Sequence, residues 1–447
     1  MQNRKSSLVS GLVGLALVAS ASLSALTPAA PVVASKASSY GLIGVSNTGS
    51  VRVLNTADWS ITGPMLTGQL GSFGGGLFDV VVTPDGKTAL ISNFGDSLVT
   101  ILDMTNPLVP TIKGKVQLDF FAEDMDITPD GRYALVTDGG FSSKIFVIDI
   151  KARHGRSYSY DFQVGGNSNP HQPQMQAVSI MADGRTVLCP NYWNGTVEVF
   201  LLDAEGTPTF SQSLEIPIQT NPDPYDPPAD PYMPRPINIA LSPDGVHAAV
   251  FAVGGSADPG MDEFGAPTVF LCKRIAPGMI ELVADNGWEG ANNQPQSGVF
   301  SPDGKKLYVS AHGVTLPAPL LRAGIALPAG PPPPPPTFSY VRVFSVSGDT
   351  LSLAQDIPIT PRGTSQLFGV DTIALDQSGQ FVVVTNPTLS GAVTQIDVIS
   401  TISNGVIRTI VLPDQSYIDG NGDPQTDPSI PVGIAFNRYP RYMRPGQ

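Results

Sequence analysis

The chain has 447 residues, of which 41% are hydrophobic and only 14% are charged, and this apolar content excludes global disorder. Its formal net charge of −13 argues against sequence-independent binding to nucleic acid, because such binding depends on Lys and Arg side chains that displace counterions. The 46 Gly and 43 Pro residues fit a protein of short strands joined by many turns.

The N-terminal segment 1–37 has the anatomy of a secretory signal peptide followed by a short leader. Arg4 and Lys5 supply positive charge, and residues 8–26 form an apolar run broken only by small side chains. The alternative is a retained membrane anchor, but the run is near the lower length limit for crossing a bilayer. We therefore expect a secreted, periplasmic or cell-surface protein without stable membrane insertion, in which residues 38–447 form one domain.

One sequence repeat occurs six times along the chain: an apolar strand A, a Pro-Asp-Gly-type turn, and two further apolar strands, B and C, separated by a polar turn. A less regular strand D completes each unit, and no stretch of the mature chain sustains a helical periodicity. Repeated units of four antiparallel strands are typical of a β-propeller. The six turns centre on Asp85, Asp130, Asp183, Asp244, Asp303 and the weaker Ser378.

The two ends of the chain predict the number of blades. Residues 42–47 and 50–55 look like strands B and C of a unit that lacks strand A, whereas residues 432–436 look like a strand A that lacks the rest. Joined, these segments complete a seventh unit and remove a free sheet edge. The sequence therefore predicts an all-β, seven-bladed propeller of four-stranded antiparallel blades, closed by N-terminal strands that join the C-terminal strand.

Two stretches carry a resemblance to a known group of repeats. Residues 301–310, Ser-Pro-Asp-Gly-Lys-Lys-Leu-Tyr-Val-Ser, and 381–386, Phe-Val-Val-Val-Thr-Asn, resemble the WD40-like YVTN-type propeller repeats of bacterial and archaeal surface proteins. Lactonase-like seven-bladed propellers share the same repeat. The resemblance covers nearly the whole mature chain and implies the fold. It does not imply one activity, because the group includes both surface modules and enzymes.

The predicted strand order assigns every loop to one face of the propeller. Turns from A to B and from C to D lie on one face and are short. Loops from B to C and from D to the next A lie on the other face and include the long segments 221–236 and 313–337. Insertions concentrated on one face of a repeat array usually mark its binding face, the alternative being free drift in loop length.

The first residues of the seven A strands are expected to surround the mouth of a central channel on that loop-rich face. The position six residues before each turn aspartate is occupied by Asp79, Asp124, Ala177, Asn238, Ser297 and Thr372, and Gly433 is its equivalent in the seventh unit. Asp79, Asp124 and the nearby Asp371 are candidate ligands for Ca²⁺, which prefers several oxygen ligands. The alternative is that these side chains bond water and backbone groups in a wet channel.

A second set of polar and aromatic residues on this face suits a bound ligand. Carboxyl, amide and aromatic groups together favour a sugar, a peptide or a cationic ligand, although the aromatic rings can also serve to pack the blades. Our leading hypothesis is a monomeric, non-catalytic propeller that binds a small molecule, a glycan or a protein here. The candidate ligand-binding residues are Glu123, Gln176, Asn238, Gln296, Tyr192, Trp193 and Trp288.

A catalytic alternative rests on one histidine. Residues 170–191, in which His171 follows a proline shortly before a strand A, look like the Pro-His segment of lactonase-like propellers. The resemblance implies that His171 is a general base in a lactonase-like hydrolase or a lyase. A second histidine expected nearby is replaced by Gln174 and Gln176, and Arg235-Pro236 stands where the enzymes carry an Arg-His pair. Whether the protein is an enzyme stays open, and Ca²⁺ is the one cofactor considered.

The sequence also predicts the state of the two cysteines. Cys189 and Cys272 fall in predicted strands of successive units, and neither has a neighbouring histidine in sequence. We expect two separately buried thiols, with a disulfide as the alternative in an oxidising compartment.

Overall fold

Strands and tight turns form the folded part of the chain. The computed structural model describes residues 39–46, 48–71, 76–139, 142–162, 174–217, 234–254, 267–287, 293–313, 340–359, 372–386, 394–413, 415–418, 424–427 and 431–436. All of these residues belong to the unit Ser38–Gln447. Because they include no helix, no described segment qualifies as a membrane-spanning helix.

The strands follow one another at short intervals. In chain order they are β1 (Tyr40–Val45), β2 (Ser50–Asn55), β3 (Ser60–Ile61), β4 (Leu77–Val82), β5 (Thr88–Asn93), β6 (Leu98–Asp103), β7 (Thr111–Gln117), β8 (Ala122–Ile127), β9 (Tyr133–Asp138), β10 (Lys144–Asp149), β11 (His154–Ser159), β12 (Ser179–Ile180), β13 (Thr186–Asn191), β14 (Thr196–Leu202), β15 (Pro208–Glu215), β16 (Pro236–Leu241), β17 (His247–Ala252), β18 (Thr268–Ala276), β19 (Met279–Gly287), β20 (Asn293–Phe300), β21 (Lys306–Gly313), β22 (Tyr340–Ser347), β23 (Thr350–Pro358), β24 (Ile373–Leu375), β25 (Phe381–Asn386), β26 (Gln395–Ser400), β27 (Gly405–Val411), β28 (Gln415–Ile418), β29 (Pro424–Asp427) and β30 (Pro431–Phe436).

Seven of the sheets are four-stranded and antiparallel, and they form the seven blades of a propeller. Blades 1 to 6 are β4–β7, β8–β11, β12–β15, β16–β19, β20–β23 and β24–β27, each in the order A, B, C, D. Blade 7 has the order β3-β2-β1-β30, so the N-terminal strands pair with the C-terminal strand. Both the fold and the predicted closure are confirmed. At this closure Phe436 packs over Gly41, where an added Cβ would lie 2.7 Å from the ring.

The hydrophobic core lies between the blades. Each of the seven clusters of buried apolar side chains in the described residues combines strands of two adjacent blades. In one of them Leu90 and Ile101 of blade 1 pack with Met125 and Val136 of blade 2. Because a blade covers its faces only with its neighbours, the ring must be complete for every blade to be buried.

In four of the six A–B turns a hydroxyl donates to a carboxylate two residues away. In blade 1 the hydroxyl of Thr83 donates to Asp85 at 2.6 Å, and the N–H of Lys87 donates to the same carboxylate. In blade 6 the two groups exchange positions, and the hydroxyl of Ser378 donates to Asp376 at 2.6 Å. This exchange explains why the sixth turn lacks the usual aspartate and looks weak in sequence.

The exchanged turn gives the first prediction. Asp376 is fully buried and accepts hydrogen bonds from the backbone N–H groups of Ser378 and Phe381. We expect Asp376→Ala to lower the free energy of unfolding by about 2–3 kcal/mol, because the substitution removes a buried carboxylate that accepts several hydrogen bonds. The exposed Asp85→Ala in blade 1 is the matched control, with an expected loss below about 1 kcal/mol. Equal shifts of the two urea-unfolding midpoints would contradict this prediction.

A second repeated contact joins neighbouring blades on the face of the A–B and C–D turns, and we call it the B–CD contact. At five junctions the first residue of a strand B meets the C–D turn of the next blade. Tyr133 packs on Gly206, Thr186 accepts from the N–H of Gly278 at 2.9 Å, His247 Nε2 lies 2.8 Å from Asp349 Oδ1, Lys306 Nζ donates to Asn404 Oδ1 at 3.0 Å, and Phe381 packs edge-to-face on Trp59.

A small additional sheet and two buried cysteines complete the description of the fold. The segment between blades 6 and 7 contains a two-stranded sheet formed by β28 and β29. Cys189 and Cys272 are buried free thiols, as expected, and burial raises the pKa of Cys272 to about 12. Neither thiol is therefore a ready nucleophile.

Candidate binding site at the channel mouth

The A strands of all seven blades line a central cavity of about 470 Å³. Strand A runs from the loop-rich face to the face of the A–B turns, so its first residues lie at the loop-rich end of the cavity. We call this end the channel mouth. Glu123, Gln176, Asn238 and Gln296 are among its lining residues.

A β-bulge shapes the mouth in several blades. The register of strand A against strand B shifts between Leu77 and Val80 in blade 1 and between Ala122 and Met125 in blade 2. Similar shifts occur at the openings of β16 and β20. In a regular strand, consecutive side chains point to opposite faces, whereas a bulge turns one of them aside. Glu123 and Asp124 therefore line the same cavity although they are adjacent in sequence.

Hydroxyl groups on strand B hold the backbone of these bulges. The Ser92 hydroxyl accepts from the N–H of Asp79 at 2.8 Å and donates to the carbonyl of Glu123 in the next blade at 2.9 Å. At the bulge of β20 the Ser310 hydroxyl accepts from the N–H of Ser297 at 3.1 Å and donates to the carbonyl of the same residue. The Ser or Thr near the end of strand B, visible in the sequence repeat, thus marks a bulge that our sequence reasoning did not recognise.

Most of the predicted site residues that the structure describes meet in this cavity. Tyr192 and Trp193 lie apart from its lining, and Ala177 and Gly433 are also absent from it. His171, Trp288 and Asp371 lie outside the described residues. The residues that the structure brings together are Asp79, Glu123, Asp124, Gln176, Asn238, Gln296, Ser297 and Thr372.

The two mouth aspartates act as links between blades. Asp79 Oδ2 accepts from the backbone N–H of Met125 at 3.1 Å, and Asp124 Oδ2 accepts from the N–H of Val178 at 2.8 Å. In each pair the carboxylate belongs to one blade and the N–H to the next, in strand A for Met125 and directly before it for Val178. One oxygen of each aspartate is therefore used for the structure of the ring rather than left for a ligand.

Glu123 is the most unusual group at the mouth. Its side chain is 8% exposed, and Glu123 Oε2 has no hydrogen-bond partner among the described residues. This oxygen lies against Gly139, where an added Cβ would be only 2.6 Å away, and a side chain there would displace the carboxyl. Burial, and secondarily the charge of Asp138, raise the pKa of Glu123 to about 8. At neutral pH its carboxyl is therefore mostly protonated and is a hydrogen-bond donor.

The neighbouring acid follows the same trend. Burial and the charge of Asp79 raise the pKa of Asp124 well above its ordinary value, with a smaller contribution from Glu123. Carboxyl groups this close in a poorly solvated site oppose one another's ionisation. The mouth is consequently less negative at neutral pH than its three acids suggest.

The Ca²⁺ hypothesis stays a prediction. No group of three or more His, Cys, Asp or Glu side chains in the described segments is arranged to hold a metal ion. Of its three proposed ligands, Asp371 lies outside those segments. The other two, Asp79 and Asp124, each give one oxygen to a backbone N–H.

Tyr192 and Trp193 form a cluster with a cation instead of standing free on the loop-rich face. Both are half-buried, and their rings meet edge-to-face with centroids 4.7 Å apart. The Arg235 guanidinium lies 5.4 Å from the Tyr192 centroid and 5.0 Å from that of Trp193. This arrangement is a cation–π contact between blades 3 and 4.

Phe94 was expected on the loop-rich face, but sequence reasoning missed Phe78 and Phe121, which form an aromatic group with it beside the mouth. Phe94 and Phe121 stack with centroids 4.9 Å apart and an interplanar angle of 13°, and Phe78 lies 5.7 Å from Phe94. Phe78 also lines the cavity. A usable signal was present, because Phe78 and Phe121 precede the predicted mouth acids by one and two residues.

Comparison with known proteins supports the fold. No family model matches the chain, and no curated protein matches it either. Among solved structures, a periplasmic gluconolactonase from Pseudomonas aeruginosa aligns with a TM-score of 0.61 and 15% identity, over 90% of this chain and 99% of that one. A protein of unknown function from Desulfotomaculum acetoxidans aligns with a TM-score of 0.58 and 18% identity, over 87% of this chain and 99% of that one.

Neighbours of the same fold differ widely in their chemistry. The hydrazine synthase of Kuenenia stuttgartiensis aligns with a TM-score of 0.54 and 14% identity, over 80% of this chain and 97% of that one. At such identities the likeness establishes the propeller and leaves the activity to be argued from the site. The YVTN-type resemblance rests on the repeat residues alone.

Proposed function

We propose that this protein is an exported propeller whose channel mouth binds a small, neutral, hydroxyl-rich ligand. The observation that carries the proposal is Glu123, a buried carboxyl whose Oε2 has no hydrogen-bond partner among the described residues and whose pKa is raised to about 8. A buried polar atom without a partner is rare in folded proteins and is expected to meet a ligand or an ordered water. The proposed location outside the cytoplasm rests on the N-terminal segment 1–37, and the proposed monomeric state on closure of the ring.

The polar groups of the mouth suit hydroxyl groups. Protonated Glu123 donates a hydrogen bond, and the side-chain amides of Gln176, Asn238 and Gln296 both donate and accept. All three amides line the cavity, whose 470 Å³ lies in the usual range for small-molecule sites. A neutral ligand is favoured over an anion, because ionisation of any of the three mouth acids would repel negative charge.

Calorimetric titration with methyl β-D-glucoside and with glucuronate at pH 6.5 tests this proposal. We expect the neutral glucoside to bind at least about tenfold more tightly than the anion. Its affinity should fall as the pH rises through about 8, since ionised Glu123 loses its donor hydrogen. Glu123→Gln, which keeps a donor and cannot ionise, should flatten this pH dependence.

The matched control for that experiment is Glu205→Gln, at an exposed carboxylate in the C–D turn of blade 3 on the opposite face. It should reproduce the wild-type pH profile. Equal affinities for the neutral and the anionic sugar, or a pH profile that Glu123→Gln leaves unchanged, would contradict the proposed role of the mouth.

Lactone hydrolysis is a second candidate function. It is favoured by the acid–base group at the mouth and by the likeness to a periplasmic gluconolactonase. In this reaction water adds to the lactone carbonyl, the ring C–O bond breaks, the ring oxygen takes a proton, and the acid product releases a proton at neutral pH. Protonated Glu123 would donate a hydrogen bond to the carbonyl oxygen as negative charge develops there.

Proton release from D-glucono-δ-lactone, measured above the spontaneous rate, distinguishes the two candidates. A hydrolase should lose about 10²-fold or more of its rate in His171→Ala if that residue is the base. Tight binding of sugars without any enzymatic proton release would support the binding protein. Release that is unaffected by both His171→Ala and Glu123→Leu would place the reaction away from the mouth.

A further inference from the structure

Three phenylalanine rings lie in a row on the loop-rich face beside the mouth, and we call Phe78, Phe94 and Phe121 the phenylalanine platform. Phe78 and Phe121, at its two ends, are 45% and 44% exposed, whereas the central Phe94 is half-buried. Large exposed apolar groups that adjoin one another usually mark a contact surface. The platform comes from three separate segments of blades 1 and 2, so the fold rather than local sequence brings it together.

The platform and the mouth form one continuous surface. Phe78 belongs to the platform and also lines the cavity. At the other side Phe94 touches Gly139, where an added Cβ would lie 2.5 Å from its ring and 2.6 Å from Glu123 Oε2. Glu123 Oε2 and the Phe94 ring therefore both lie against Gly139.

We infer that the ligand of this protein carries a planar apolar group, such as an aromatic ring, which stacks on the phenylalanine platform while its polar part enters the channel mouth. This inference rests on the proposed function, because the mouth must take the polar part. Phenylalanine has no polar tip, so the platform offers ring faces and edges but no hydrogen bond. A purely polar sugar would leave these rings in water.

The chemistry of the surroundings favours an aromatic group over a cation. A cation is attracted to ring faces most strongly where ionised acids lie nearby. Of the three mouth acids beside the platform, two, Glu123 and Asp124, are instead shifted toward their neutral forms. An aromatic ring gains from offset or edge-to-face contact with phenylalanine without any charge.

Three probes test the inference: phenyl β-D-glucoside, methyl β-D-glucoside and phenol, each titrated calorimetrically at pH 6.5. We expect the phenyl glucoside to bind about tenfold more tightly than the methyl glucoside. Phe121→Ala should remove this preference and leave the affinity for the methyl glucoside unchanged. Phe121→Leu, which keeps apolar bulk without a ring, should remove most of it.

Phe210→Ala is the matched control, because Phe210 is 43% exposed and lies on strand β15 of blade 3. It should keep the preference for the phenyl glucoside. Unfolding midpoints near the wild-type value would show that the exposed substitutions leave the fold intact.

The outcomes separate the platform from the mouth. Equal affinities for both glucosides would overturn the platform and leave the proposed function standing. Binding of phenol alone, sensitive to Phe121→Ala, would retain the platform and contradict the mouth. Binding of none of the three probes would overturn both.

Discussion

A chain that ends after residue 429 is expected to lose its fold, although it lacks only one described strand. The truncation removes β30, which is strand A of blade 7 and pairs with β1 from Gly41 to Val45. It exposes the edge of β1 and removes the buried Ile434 and Phe436, both 4% exposed. The expected loss is at least about 5 kcal/mol, comparable to the whole stability of many proteins.

Urea unfolding followed by circular dichroism measures this effect, with a chain that ends after residue 437 as the control. The control retains β30 and is expected to unfold at the wild-type midpoint. A synthetic peptide spanning residues 429–437 should restore the shorter chain by adding the missing strand, and the same peptide with Ile434→Asp should not. A shorter chain that unfolds at the same midpoint as the control would show that blade 7 does not need its strand A.

The second large expected effect is a stability gain in Glu123→Gln at high pH. The folded protein holds the Glu123 proton up to about pH 8, whereas the unfolded chain releases it near 4.5. Glu123 therefore does not lower the free energy of unfolding below about pH 4.5. Its destabilising effect grows between pH 4.5 and pH 8 and stays constant above pH 8. Because each pKa unit is worth about 1.4 kcal/mol, the full difference is about 5 kcal/mol.

Unfolding free energies of wild type and variant, measured between pH 4 and 9, test this expectation. The variant should match the wild type near the acidic end and exceed it by several kcal/mol at the basic end. Glu205→Gln, the exposed control, should stay within about 0.5 kcal/mol of the wild type throughout. A Glu123→Gln curve parallel to that of the wild type would mean that Glu123 ionises in the fold as readily as in the unfolded chain.

The propeller was predictable because its evidence is local and repeated. In blades 1 to 6 the A–B turn carries a carboxylate that accepts from a neighbouring backbone N–H, so counting back from the turn reaches the same place in every regular copy. Asp79 and Asp124 are found in this way. At two positions the residue found in this way does not line the cavity. One is Ala177, where strand A of blade 3 has only two residues. The other is Gly433, which packs against the backbone of blade 1.

The protonation of Glu123 was not predictable from sequence. It depends on burial against Gly139 and on the nearby Asp138, and neither arrangement follows from the repeat. The positions of Phe78 and Phe121 next to the mouth acids are visible in the sequence, but the stacking of the phenylalanine platform is not, since its three rings meet only after blades 1 and 2 pack together. The sequence indicated which face and which ring of positions to consider, while the chemical state of the site arises from contacts between blades.

The five B–CD contacts have a consequence for the order of the blades. They place an aromatic ring on a glycine, a hydroxyl under an N–H, an imidazole beside a carboxylate, an ammonium group on an amide oxygen, and two aromatic rings edge-to-face. Because the five pairs differ in size and polarity, a blade followed by any but its own successor would meet an unsuited partner. The B–CD contacts therefore discriminate against rings with a skipped, duplicated or exchanged blade.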